Sequence, residues 1–399
     1  MQQHEPSPST HLPLLKPISP HAGYADYLAE LTHELPFSAS QFGVVLVSAL
    51  ELQERKNRGA DSKKSMESEG TTAPAWKPNV DSPHFRCSVP VQNVTGKNVF
   101  TTVDVTVAGH ASTIYARCEH SFMLAAASAA ASKGGVEGGH YSYKATAENF
   151  TKALESNPVI QGHQKNIVQV MKEILDHPVA NETPPGIVFS INMGQDETGL
   201  QYFYCLNDIW MPALKTFGKL SEGNRGVKHV ITEEELLKAD PEIRLRCQEL
   251  EEKEGLVLGP MVESDIPLML ELNGVKFDDE YGRFIIKRSR CFRNRKGEMV
   301  AWAGTHGDFS IAALHVLPEY RKTGLGRLVL HSLAMLHIKL AREILSTLGD
   351  DAEPVSATTL VAHADCMDYN QATMIFMERC GWHRIGFYLW IGVDKNSKE

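Results

Sequence analysis

The chain has 399 residues, 42% of them apolar, and carries 49 acidic against 40 basic side chains for a formal net charge of −9. That balance excludes a general nucleic-acid binder, which meets phosphates with a basic surface, and the ordinary apolar and charged fractions point to a soluble globular chain. At roughly 150 residues per domain the length predicts two or three domains.

Seven cysteines (Cys87, Cys118, Cys205, Cys247, Cys291, Cys366 and Cys380) are scattered, odd in number and without a C-x-x-C pair. This predicts reduced thiols inside a cell, with no disulfide frame and no metal site. The first 30 residues hold one basic side chain, Lys16, and no arginine precedes Arg55, so no secretory or mitochondrial leader is predicted. The expected location is cytoplasmic, with no membrane partner. The longest small-apolar run, Phe122 to Ala131, is about half of a membrane span and reads as a buried helix.

In chain order, residues 1–20 are rich in proline and serine and predict a loose tail. Ala25 to Leu35 predicts a short helix ended by Pro36. Phe42 to Leu50 is apolar throughout and fits strand or helix equally. Glu54 to Thr72 is polar and charged and predicts a loop. Val99 to Ala108 alternates, and with Ser112 to Cys118 it predicts a hairpin about Gly109-His110. Ser132 to Gly139 holds four glycines without an apolar strand feeding it, so it reads as a flexible loop. Asn166 to Leu175 predicts a helix, Gly186 to Ile191 a strand and Trp210 to Phe217 a short helix. Residues 21–230 therefore read as one α+β domain.

Thr232-Glu233-Glu234-Glu235 has the form of a capping box, and the charged run to residue 255 reads as a connector. Residues 256–397 read as the next domain. Leu256 to Pro260 predicts a strand, and Ser264-Asp265 a cap for the helix that follows. Cys291 to Arg295 and Met299 to Gly304 predict two antiparallel strands. Phe309 to Val316 predicts a largely buried strand stopped by Pro318, since proline offers no N–H to a ladder. Leu325, Leu328, Val329, Leu333, Leu336 and Leu340 share one face of a long helix. Thr358 to Ala362 and Arg384 to Val393 predict two more strands.

Between strand and long helix lies Arg321-Lys322-Thr323-Gly324-Leu325-Gly326. The first N–H groups of a helix lack partners and carry the positive end of its dipole, and glycine lets backbone approach a phosphate. Arg321, Lys322 and Arg327 add positive charge. This combination predicts an anion site.

The stretch from Leu314, His315 and Val316 through Gly326 resembles the acyl-CoA-binding motif of the GNAT superfamily of N-acyltransferases. A second block, Asn370-Gln371-Ala372-Thr373 followed by Phe376 to Trp382, resembles that family's N-x-x-S-x-x-L-Y-E-x-x-G-F. The resemblance covers roughly residues 256–397, with the tone of the glycine N-acyltransferase-like branch. It implies an α+β GNAT fold, a mixed, mostly antiparallel sheet flanked by helices. It also implies a first half that is a degenerate copy of the same fold. Acetyl-CoA or another short acyl-CoA is the implied co-substrate, without a metal. The implied partner is a small-molecule amine or amino-acid acceptor, and a homodimer contact is a role open to the first half.

For that chemistry the resemblance implies cofactor contacts from Leu314, His315, Val316, Arg321, Lys322, Thr323, Gly324, Leu325, Gly326 and Asn370. The oxyanion donor is a backbone N–H near Leu314 to Val316. A glutamate that many members carry eleven residues before the loop arginine is replaced by Ser310, and the usual tyrosine acid by Met377. Asp308, Ser310 and His315 are the candidate catalytic side chains. His306, His363 and Asp365 are further candidates for the base, and Tyr369 for the acid. Catalytically weak acyl-CoA binding is the alternative reading.

Overall fold

The structure is a computed structural model of the 399-residue chain. It describes residues 16–17, 23–33, 35, 37–62, 84–91, 99–108, 111–119, 155, 157–176, 200–221, 223–275, 277–347 and 359–394. The expected helix at Phe122, the glycine loop Ser132 to Gly139 and the strand Gly186 to Ile191 lie outside the described residues.

The first half runs β1 (Lys16–Pro17), α1 (Gly23–Thr32), α2 (Ala39–Ser62), β2 (His84–Val91), β3 (Val99–Ala108) and β4 (Ala111–Ala116). It continues with α3 (Pro158–Asp176), β5 (Leu200–Asn207), α4 (Met211–Leu214) and β6 (Asn224–Thr232). Helix α5 (Glu233–Glu254) then leads to β7 (Val257–Gly259), α6 (Ile266–Leu272), α7 (Asp279–Lys287), β8 (Arg290–Arg293), β9 (Met299–Thr305) and β10 (Ile311–Val316). Last come α8 (Leu325–Thr347), β11 (Val361–Met367), α9 (Gln371–Arg379) and β12 (His383–Asp394). Among the described residues each half reads strand, two helices, three strands, helix, strand, short helix, strand. The two halves thus repeat one order of elements, each an α+β unit with a mixed, mostly antiparallel sheet flanked by helices.

All the described strands join one sheet, in the order β1-β2-β3-β4-β5-β12-β6-β11-β10-β9-β8-β7. Two neighbouring pairs are parallel, β4 with β5 and β10 with β11, and the rest are antiparallel. A parallel pair needs a crossover, and α3 and α8 fall in the two crossovers. The order is palindromic about its centre, because the halves exchange their last strands. β6 of the first half pairs with β11, and β12 of the second pairs with β5.

Several expectations change. The connector at residues 231–255 is a strand end and helix α5, and the sheet runs past it unbroken. Its capping box is present: Thr232 Oγ1 accepts from Glu235 N, and Glu235 returns a bond to the Thr232 amide. Leu236, Ile243 and Leu250, seven apart, bury one stripe, and the charged remainder faces water. Phe42 to Leu50 is helix, and α2 extends through Ser62, into the expected loop. Its run of buried residues hides any period, because residues 39–51 of α2 are buried on every side; Phe42, Val45 and Leu46 share a core with Leu333 and Ile338 of α8. Lys16–Pro17, inside the expected tail, pairs with β2. Asp265 caps the turn before α6, accepting from Val262 N, and pairs with Arg293. β10 begins at Ile311 rather than Phe309, which has φ 65°. β11 runs to Met367. No helix among the described residues is long and apolar enough to cross a membrane.

Candidate active site

β10 and β11 run side by side for one residue pair, Ile311 with Ala364. The outer edge of β10 stays on β9 and that of β11 stays on β6. The inner edges therefore diverge into a fork. β10 also bulges there: Ala312 faces Gly304 and His315 faces Trp302, so one strand holds an extra residue. Ala313 takes φ 50° to absorb it, a left-handed conformation that a residue with a Cβ seldom adopts. Ala313 to Val316 are half-buried, as strand edges facing an open fork should be.

The chain then passes a 3₁₀ turn (Pro318–Tyr320) and reaches the exposed loop Arg321 to Gly324. Lys322 has φ 65° and Gly324 φ 92°. Arg321 Nε donates to the Val316 carbonyl at 3.0 Å, tying the loop to the end of β10. Thr323 Oγ1 donates to the Tyr320 carbonyl at 2.6 Å. Leu328 N donates to the Gly324 carbonyl, so the amides of Leu325, Gly326 and Arg327 head the helix and have no acceptor within it. The two glycines serve different ends. A Cβ on Gly324 would meet nothing within 4 Å, so its constraint is backbone angle and open space. A Cβ on Gly326 would lie 3.2 Å from Phe376 and 3.3 Å from Val316, so its bareness lets α8 pack on β10 and α9. Arg327 turns aside to pair with Glu242 at 3.1 Å.

Asp308 lies in the turn before β10, buried. Its Oδ1 accepts from the Ser310 amide (3.1 Å) and hydroxyl (2.6 Å), and its Oδ2 from Ser40 (3.0 Å) and the Cys205 thiol (3.5 Å). Burial alone would raise its pKa, but His363, Lys228, His306 and the Ser310 bond outweigh burial and hold it well below the usual range. Both oxygens are thus engaged, and Asp308 with Ser310 forms a closed pair. His315 stacks on Trp302 at 4.7 Å. The bulge sets that orientation, which strict alternation through Ser310 would not give. Burial and Arg321 lower the His315 pKa. His306 is hydrogen-bonded to Tyr281 at 2.8 Å, and burial lowers it too. Asn370 is the N-cap of α9, accepting from Thr373 N. Tyr369 is 74% exposed, and Met377 is buried.

Sequence reading missed Lys228, Ser40 and Cys205. Lys228 is fully buried; its ammonium donates to Asp365 Oδ2 at 2.7 Å and to Ser40 Oγ at 2.7 Å, and lies 4.7 Å from the Tyr388 ring centre. Donor atoms of Cys205, Asp308 and Asp365 fall within 4.8 Å of one another, and the cation among them is Lys228. Burial disfavours its charge, yet Asp365, Cys205 and Asp308 raise its pKa overall. The signal for Lys228 was a lone basic residue inside an otherwise strand-like run, Gly226 to Ile231. A separate cleft of about 290 Å³ opens between α5, α8 and the end of α9, with Arg327, His331 and Arg379 in its wall.

No family model matches the chain, and no curated protein matches it. Among solved structures, a Drosophila protein aligns over 96% of this chain and 99% of its own, at 11% identity and TM-score 0.47. A tandem GNAT protein from the clavulanic acid biosynthesis pathway aligns over 96% and 99%, at 8% identity and TM-score 0.36. A GCN5-related N-acetyltransferase from Sphaerobacter thermophilus aligns over 76% and 79%, at 11% identity and TM-score 0.33. Likeness at this level transfers no residue roles.

Proposed function

We propose that the protein is an acyl-CoA-dependent N-acyltransferase that moves an acetyl group from acetyl-CoA to a small amine by direct attack. The observation that carries this reading is the fork that opens after Ile311 and Ala364, with the Ala313 bulge in it and the Arg321 to Gly326 loop at its far end. Open strand edges can pair with an extended, amide-bearing pantetheine arm as they would with a peptide strand. The helix-heading amides with Arg321 and Lys322 suit a diphosphate. A backbone N–H in Leu314 to Val316 serves as the oxyanion donor whatever the side chains are. Met377 cannot donate a proton, so the departing sulfur leaves as a thiolate, which is a competent leaving group.

The test is a thermal melt with millimolar acetyl-CoA, followed by CoA release across a panel of amines, read with a thiol reagent. A raised melting temperature and amine-dependent thiol release are expected. An unmoved melting temperature defeats the reading. Binding without release from any amine favours an acyl-CoA-binding protein that does not turn over.

A further inference from the structure

We infer that Asp365 is the general base of this transfer, and that Lys228 and Ser40, both from the first half of the chain, position it. The inference rests on the acyltransferase reading above. Asp365 follows Ala364, the residue at which β11 parts from β10, so it stands at the apex of the fork. Its side chain is 8% exposed. Oδ2 is held by Lys228, while Oδ1 is buried with no hydrogen-bond partner among the described residues. A buried carboxylate oxygen without a donor is costly, and an acceptor amine is a donor of the right kind.

The neighbours favour the same assignment. Asp308 has both oxygens occupied and has no lone site to offer. Around Asp365 stand Lys228 on β6, Ser40 on α2, Cys205 on β5, Tyr388 on β12, His363 on β11 and Asp308 before β10. Burial and Lys228 push His363 down to about 3, so it is neutral. Burial pushes Cys205 and Tyr388 well up, so both keep their protons. Two carboxylates then face one ammonium, leaving one negative charge at this centre. Burial raises the Asp365 carboxyl and Lys228 pulls it back, leaving it above the usual aspartate range.

In the reaction the acceptor nitrogen bonds to the thioester carbon and the carbon–sulfur bond breaks. The proton from nitrogen passes to Asp365 Oδ1. The CoA sulfur leaves with the bonding pair and takes a proton from water, and Asp365 returns its proton to solvent. Lys228 donates to both Asp365 and Ser40, and Ser40 donates to Asp308, so the carboxylate is braced through α2 and β6. The first half thereby completes a centre that the second half lacks alone.

The test compares wild type, Asp365→Asn, Lys228→Gln and Ser40→Ala in the full chain. Acetyl-CoA affinity comes from titration, kcat and KM from thiol release, and folding from circular dichroism. Asp365→Asn should bind acetyl-CoA within about twofold of wild type and lose on the order of 100-fold or more in kcat. Wild-type kcat should fall on an acidic limb, and Lys228→Gln should move that limb to higher pH by removing the adjacent positive charge. Ser40→Ala should lower kcat several-fold with KM unchanged. A folded Asp365→Asn with wild-type kcat overturns the inference alone; a wild type that does not bind acetyl-CoA overturns the acyltransferase reading instead. If Asp365→Asn does not fold, a wild-type kcat flat from pH 5 to 9, or Ser40→Ala turning over at the wild-type rate, overturns the inference. Binding without turnover in wild type overturns it too.

Discussion

Gly43 of α2 lies against the Asp308 carbonyl so closely that a Cβ built on it would fall 1.8 Å from that oxygen. The same carbonyl accepts from His363 Nε2 at 3.0 Å. Helix α2 of the first half is thus seated on the turn that launches β10. On an exposed helix Gly→Ala would stabilise by roughly 0.5–1 kcal/mol. Here overpacking should reverse the sign, and Gly43→Ala should destabilise by about 1–3 kcal/mol. Urea unfolding checks this; an unchanged or raised midpoint would mean that the helix can shift away at little cost.

Parts of both halves were legible because their elements obey simple rules. The loop after Pro318, the one-faced helix after it, the Thr232 capping box and the hairpin at β3 and β4 all stand where local pattern puts them. β5 and β6 were not found. Leu200 to Asn207 is buried on both faces and shows no alternation, and β6 carries Lys228 and His229, which read as solvent-facing until Asp365 and Ser40 are seen beside them. The same blindness cut β11 short at His363, whose buried polar neighbours look like loop. Strand exchange was illegible because no local signal reports which strand pairs with which. The fork was half legible: the motif located it, but the bulge at Ala313 and the oxygen of Asp365 are products of register.

Glu119 gives a pH prediction. It is buried, and its Oε1 accepts from Trp210 Nε1 at 2.7 Å and from Ala116 N at 3.1 Å. Burial raises it from 4.5 to about 7. The folded chain therefore keeps a proton that the unfolded chain releases, and stability contributed by this group is full below about pH 4.5 and lost as pH rises through about 7. Glu119→Gln keeps one carbonyl acceptor and removes the ionisation. It should stabilise the protein at pH 8 by on the order of 3 kcal/mol and leave stability near pH 4.5 almost unchanged. Urea titrations at both pH values decide; an equal effect at both would show that Glu119 is not the titrating group.

At the loop, Gly324 has φ 92° and open space where a side chain would go. Gly324→Glu should abolish acetyl-CoA binding, because bulk and negative charge would stand where the diphosphate is proposed to lie. Circular dichroism should change little, since the residue is exposed. Arg321→Ala removes a charge-assisted contact and the tether to Val316, and should weaken binding by roughly ten- to hundredfold, or about 1.5–3 kcal/mol. Isothermal titration reads both. Wild-type affinity in Gly324→Glu would move the cofactor elsewhere.

The exchange of last strands makes a prediction about the two halves as pieces. Val361 to Met367 of β11 pairs residue for residue with Thr232 to Gly226 of β6. β12 has β5 on one side and β6 on the other. A chain cut between Thr232 and Glu233 would leave the second piece with β11 and β12 bared along the edges that β6 and β5 cover. Long unpaired edges with apolar faces aggregate. Val227, Val230 and Ile231 would leave the core they share with Ile311 and Ala364. The first piece would lose the partners of β5 and β6 in the same way. Expressed singly, each piece should be insoluble or melt without cooperativity. Expressed together, they should co-purify one to one, melt cooperatively and recover stabilisation by acetyl-CoA. A second piece that is monomeric, melts cooperatively alone and binds acetyl-CoA at full affinity would show that the exchanged strands are dispensable and that the sheet is two domains in contact.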